Sequence, residues 1–345
     1  MLKFEPVEAY QTAPWLERMH ECGTSMQNHR VRHVYFTHGT FVGSSPLGII
    51  DLFAEILEPW MIERLKILVK AGIDLIMDDT GNYTGAYIDD FQTALGQEIP
   101  CSAIIWDSGN YHLARLNGAM QLIEILASDI GDDFTTEDHL LLIGHSHAGQ
   151  LYALLTTLLE DGDRAGQLLD IARQAGHDSD RILGHLDRIR RVHLDIATFG
   201  MPPRYPWGGQ PDYTLRHIVN DRGLSWSSTP SYVLLNDLLH TIHGDYVQQW
   251  GREGTDFPAP SDLQGLNEEL DKVLDEGVSP SKAIANLYQP ERIPSPYGKT
   301  LKIDYDDSAG LLPNCIETLF GHGIYTRKQT MLFNTLLLVN EFYPS

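Results

Sequence analysis

Leu140-Leu141-Leu142-Ile143-Gly144-His145-Ser146-His147-Ala148-Gly149 is the stretch on which the reading of this chain turns. Four apolar residues stop at a glycine, and a helix-compatible run, Ala148-Gly149-Gln150-Leu151, starts almost at once. A short apolar run bounded in this way reads as a strand buried on both faces. A sharp strand-to-helix turn presents the residue at its tip, Ser146, with its hydroxyl held out of the fold. Small residues are needed on either side because backbone crowds backbone there. Gly144 stands two before the serine, and Ala148, the smallest side chain after glycine, stands two after it. The competing reading is a serine that only caps the helix. What separates the two is whether an acid and a histidine follow, in order, at the ends of later strands.

Working outward, short apolar runs alternate with helical patterns. This predicts an α/β fold with a mostly parallel central sheet flanked by helices. Strands are expected at 2–8 (an edge), 31–37, 102–106, 139–144, 192–199, 246–250 and 301–305, and helices at 49–71 (interrupted by Pro59), 112–128, 148–160 and 327–342. Thr84 is placed to cap a further helix. Residues 161–190 and 262–292 read as helical insertions into a single domain spanning 1–345, and as candidates for a cap or lid.

The 345 residues carry 47 acids against 25 bases, a formal charge of -22. Such a surface repels phosphate backbones and anionic lipid heads, which argues against nucleic-acid binding. Cys22, Cys101 and Cys315 are too few and too widely spaced for a disulfide framework or a cysteine zinc site. The opening Met1-Leu2-Lys3-Phe4-Glu5-Pro6 has no apolar core of a signal peptide, and no apolar run reaches membrane-spanning length. The expectation is a cytoplasmic protein without stable membrane insertion. Composition says nothing of its oligomeric state.

A serine hydroxyl needs a base within reach, and the base needs an orienting acid. In a parallel sheet such groups collect at the carboxyl ends of strands. His322, flanked by Gly321 and Gly323, follows the last expected strand, and Asp256 follows the strand expected at 246–250. Asp245 precedes that strand and would sit at its wrong end, whereas Asp306, Asp307 and Asp212 stay open as alternatives. His38-Gly39-Thr40-Phe41 ends an early strand in a glycine-bearing turn, whose N–H groups at Thr40 or Phe41 can stabilise an oxyanion, with the N–H of His147 as second donor. His38 itself reads as a brace for that loop, and Asn110 as a weak candidate for lining the substrate site.

These motifs, His38 to Phe41, Gly144 to Gly149, Asp256 and Gly321-His322-Gly323, resemble the α/β-hydrolase superfamily on its esterase and lipase side. The resemblance implies a nucleophilic Ser146, a general base His322 and an orienting Asp256, acting on a small-molecule carboxylic ester with no cofactor and no metal. A thioesterase, amidase or acyltransferase would use the same apparatus. His145 and His147 raise a different possibility, a metal-dependent hydrolase, although no further ligand follows them nearby. A non-catalytic member that only binds in the pocket is the fourth reading.

Overall fold

The computed structural model describes residues 2–39, 59–60, 63, 83–209, 213–223, 240–250, 259–274, 295–305, 318 and 320–344. The helix expected at 49–71, apart from 59–60 and 63, and all of 275–292 lie outside them. Among the described residues seven strands form one sheet: β1 (Leu2–Lys3), β2 (Val31–Thr37), β3 (Cys101–Ile104), β4 (His139–His145), β5 (His193–Phe199), β6 (Tyr213–Asn220) and β7 (Lys299–Asp304). Their order is β1-β7-β6-β5-β4-β2-β3, and every pairing is parallel.

Parallel neighbours need crossovers, and these are helical. The helices are α1 (Ala13–Asn28), α2 (Gly85–Leu95), α3 (His112–Asp129), α4 (Ala148–Leu159), α5 (Asp163–Gln174), α6 (Ser179–Ile189), a short α7 (Tyr246–Trp250), α8 (Gln264–Leu274) and α9 (Met331–Phe342). Thr84 does cap α2, its hydroxyl accepting from the N–H of Tyr87 at 3.2 Å.

Two apolar clusters lie on opposite faces of the sheet. Leu140 and Leu142 of β4 join the side chains of α3 to α6, while Leu141 and Ile143 join those of α1, α2 and α9. Coverage on both faces is why β4 is an unbroken apolar run rather than an alternating one. The α5–α6 hairpin is the 161–190 insertion. Its Leu168, Ile171, Ile182, Leu186 and Ile189 are buried in the same cluster as α3 and α4. It is thus a further layer on that face of the sheet.

Three elements depart from the sequence expectation. The helix α1 and the strand β6 had no counterpart in the periodicity reading. Residues 246–250 form a helical turn, not a strand. Isolated residues such as Tyr246 and Val247 suit either conformation, and here tertiary packing decides, since both are buried. Among the described residues no helix is long and apolar enough to cross a membrane. Cys22 and Cys101 are free thiols, each pushed up to about 12 by burial.

His217, on β6, is fully buried, with Nδ1 2.6 Å from the hydroxyl of Thr198 on β5. Burial lowers its pKa to about 3. An unfolded histidine takes up a proton below about pH 6.5, which folded His217 refuses. Stability therefore declines as pH falls from about 6.5 toward 3. The substitution His217→Gln is expected to remove roughly 1.5 kcal/mol of the stability loss between pH 6.5 and 5, read by urea unfolding at the two pH values. Equal losses in both proteins would refute this role.

Candidate active site

The strand order reverses direction at β2. From β2 the chain crosses to β3 on one side, then returns to β4 on the other and continues to β5, β6 and β7. The crevice at the carboxyl ends of β2 and β4 is therefore the topological switch point, where open parallel sheets place their ligands. Gly39, just past β2, meets Ser146, just past β4, in that crevice. A Cβ on Gly39 would lie 2.5 Å from the Ser146 Cβ and 3.1 Å from its Oγ. Only glycine allows so close an approach.

Ser146 has φ of +57°, the left-handed region that costs a side-chain-bearing residue on the order of 1–2 kcal/mol. Three backbone hydrogen bonds hold it there. Its N–H donates to Phe199 O at 2.8 Å, which extends the β4–β5 pairing by one residue. Gly149 N donates to Ser146 O at 3.1 Å and Gln150 N to His147 O at 2.9 Å, which starts α4 directly behind the serine. Gly144 is required because a Cβ there would sit 2.5 Å from the Tyr152 ring. Ala148 fits without exposure.

His322 stands after β7 in a loop tied to β6. Its Nδ1 lies 2.8 Å from Asp245 Oδ2, and both residues are buried. An ionised carboxylate only accepts, so the ring proton sits on Nδ1 and the lone pair on Nε2. Nε2 is buried and has no hydrogen-bond partner among the described residues. Asp245 is held from three further directions. Its Oδ2 also accepts from Tyr325 OH at 2.8 Å, its Oδ1 accepts from Gln248 N at 2.8 Å, and its own N–H donates to Asn220 O at 3.0 Å. The Tyr325 oxygen in turn accepts from Asn220 N at 2.7 Å.

Among the described residues the acid paired with His322 is thus Asp245, which the sequence places at the wrong end of an expected strand. The reason is the misread segment. With 246–250 helical, Asp245 does not precede a strand. It caps α7, and the chain just before it pairs with the end of β6 through the bridge between Gly244 and Asp221. Asp245 therefore sits at the carboxyl edge, where a histidine after β7 can reach it. The signal available in the sequence was Gly244-Asp245, an acid after a turn glycine. Asp256, Asp212, Asp306 and Asp307 lie outside the described residues.

Gly200 links the serine turn to the histidine–aspartate pair. This glycine follows Phe199, the residue that accepts from Ser146 N, and has φ of +61°. A Cβ on it would fall 2.7 Å from Asp245 Oδ2 and 3.1 Å from His322 Cε1. His145, one residue before the serine, adds a second tie. Its Nε2 lies 2.9 Å from His322 O, and the two rings are 4.5 Å apart.

His38 is buried, with Nδ1 2.9 Å from Gly39 O and Nε2 accepting from Trp106 N at 3.4 Å. Burial lowers its pKa, so it is held neutral against the loop backbone. Thr40 and Phe41 lie outside the described residues. His147 occupies the N-cap position of α4, in helical conformation. Asn110 is buried and its side-chain oxygen accepts from Arg115, which also donates to Tyr205 OH at 3.0 Å. It therefore anchors the loop after β3. Among the described residues, the group of three possible metal ligands contains neither His145 nor His147.

No protein-family model matches the chain, and neither the curated proteins nor the solved structures include a match to it. The assignment of the site rests on its own geometry.

That geometry separates the two aspartates by experiment. An activated phosphonate should label Ser146, and Asp245→Asn should slow that labelling by about 10²-fold or more, because the amide cannot hold the Nδ1–H tautomer. Asp256→Asn should label at the wild-type rate. The reverse pattern, measured by mass spectrometry of the labelled peptide, would move the acid to Asp256.

Proposed function

We propose that this protein is a serine hydrolase of the α/β-hydrolase superfamily that cleaves carboxylic esters. The observation that carries the reading is a backbone-strained serine at the switch point, next to His145, whose ring contacts a buried histidine, His322. One nitrogen of that histidine is tied to Asp245, and the other has no partner among the described residues. In the resting arrangement Ser146 does not hydrogen-bond to His322 Nε2. Contacts of this kind are commonly loose without substrate and tighten around it.

In the proposed cycle Ser146 Oγ attacks the ester carbonyl carbon while His322 Nε2 takes the hydroxyl proton. Asp245 holds the imidazole and stabilises the imidazolium that forms. The oxyanion accepts from His147 N–H and from an N–H of the loop at Thr40 or Phe41; each such donor is worth roughly 3 kcal/mol. The carbon–oxygen bond to the alcohol then breaks, and His322 returns its proton to the leaving oxygen. Water repeats the sequence on the acyl-enzyme and releases the acid. The described strands are all parallel, whereas the superfamily's sheet ordinarily includes an antiparallel strand.

Of the two insertions, 262–292 is the better candidate for a wall over the substrate. Its helix α8 packs against α3 and α5, and Asn267 Oδ1 accepts from Leu113 N, in the first turn of α3, at 3.0 Å. That turn follows the carboxyl end of β3, on the same edge as Ser146. Asp271 of α8 lies 3.1 Å from His112 Nε2 and 3.4 Å from Arg204, which joins this wall to the loop after β5.

The substitution Ser146→Ala should abolish hydrolysis of short activated esters and leave the circular dichroism spectrum unchanged. A chelator should leave wild-type turnover unaffected. Wild-type rates in the alanine variant would rule out the serine mechanism, and loss of activity with the chelator at an unchanged circular dichroism spectrum and Tm would favour a metal-dependent one.

A further inference from the structure

The amino edge of the sheet, opposite the candidate active site, holds a cluster that the proposed cycle does not use. His139 and His193 begin β4 and β5 and face each other in register, and Asp195 lies two residues on, on the same face as His193. His139 Nδ1 is 2.8 Å from Asp195 Oδ2, and His193 Nε2 is 3.6 Å from Asp195 Oδ1. One donor atom from each residue lies within 4.8 Å of the others. We propose that His139, His193 and Asp195 form a binding site for a single zinc-type divalent cation.

Three observations carry the assignment. Tetrahedral zinc, with donors at about 2.0–2.1 Å, separates its ligand atoms by roughly 3.4 Å, and the two distances, one to each oxygen of the Asp195 carboxylate, lie on either side of that value. Two imidazoles and a carboxylate are the donor set that zinc takes with a fourth position left to water. The histidine side chains are 27% and 26% exposed and that of Asp195 only 3%, so the carboxylate is fixed inside while the open position faces solvent. The outer shell is also in place. Tyr343 OH, at the carboxyl end of α9, donates to Asp195 Oδ2 at 2.8 Å and orients the carboxylate. Thr214 Oγ1 lies 2.8 Å from His193 Nε2, and its hydroxyl gives way when that nitrogen binds the cation.

The cation would join the starts of β4 and β5 to the end of α9. It would sit roughly 20 Å along β4 from the serine turn, given about 3.3 Å per strand residue. It is a structural staple in the same strand pair that holds Ser146, and it takes no part in bond cleavage.

The full chain, freed of metal by dialysis, is titrated with Zn²⁺ alone against a chromophoric chelator, and with Co²⁺ alone in the visible spectrum. The expected result is one equivalent bound, a raised Tm, and the strong visible bands of tetrahedral cobalt. His139→Gln and His193→Gln should each weaken binding at least tenfold, and the double variant should lose the equivalent. Tyr343→Phe should weaken it by about tenfold, the scale of an outer-shell loss. Circular dichroism confirms that each variant is folded, and the partly exposed histidines make that the expected state. Absence of saturable zinc binding by the wild-type chain overturns the proposal. So does an equivalent bound with undiminished affinity by the double variant, which would place zinc at other histidines of the chain.

Discussion

The close approach of two backbone turns, Gly39 after β2 and Ser146 after β4, is the constraint on which the rest of the site depends. A side chain on residue 39 would occupy the space of the serine Cβ. The contact exists because β2 and β4 are paired neighbours whose onward connections leave in opposite directions. Parallel pairing brings their carboxyl ends to one edge, and reversal of the strand order opens a crevice between the loops. The strain at Ser146 is sustained by hydrogen bonds on both sides, to Phe199 of β5 and within the first turn of α4. Position and conformation of the serine thus follow from sheet topology and not from the local motif alone.

The same edge gathers the other partners from far along the chain. Asn220, the last residue of β6, acts as a hub. Its carbonyl accepts from Asp245 N, its N–H donates to Tyr325 OH, and its side-chain amide donates to Gly321 O at 3.2 Å. One buried asparagine therefore ties the acid, the tyrosine that supports it and the loop that carries His322. A buried carboxylate with so many donors is firmly oriented, and an unpaired one would be costly. Gly200 completes the arrangement by keeping the space between the serine strand and the histidine clear of side chain. Nε2 of His322, without a partner among the described residues, is where this network is left open, as the proposed proton acceptor requires.

Much of this was legible in the sequence, for reasons that differ by element. The strand at 139–145 and the helix behind Ser146 were readable because a doubly covered parallel strand is an apolar run that stops sharply at glycine. His322 stood out by its flanking glycines, and one of them, Gly321, indeed has a positive φ of +81°. The strand β6 was not legible, since Tyr213 to Asn220 mixes Arg216, His217 and Thr214 with apolar residues. Without β6 there was no reason to place Asp245 at the carboxyl edge, and the short turn at 246–250 looked like the missing strand. That one element turned the reading toward Asp256, which lies outside the described residues, and away from Asp245, the observed partner of His322.

The sequence by itself determined the α/β class, the serine turn and the histidine, because each depends on local patterns: hydrophobic runs, small residues at a tight turn, and glycine beside a crowded loop. Tertiary structure alone decided which carboxylate meets the imidazole, why Gly200 must be bare, and that His139, His193 and Asp195 converge at the far edge. Those are contacts between residues brought together by strand order and register. Local periodicity contains no information about which strand lies next to which.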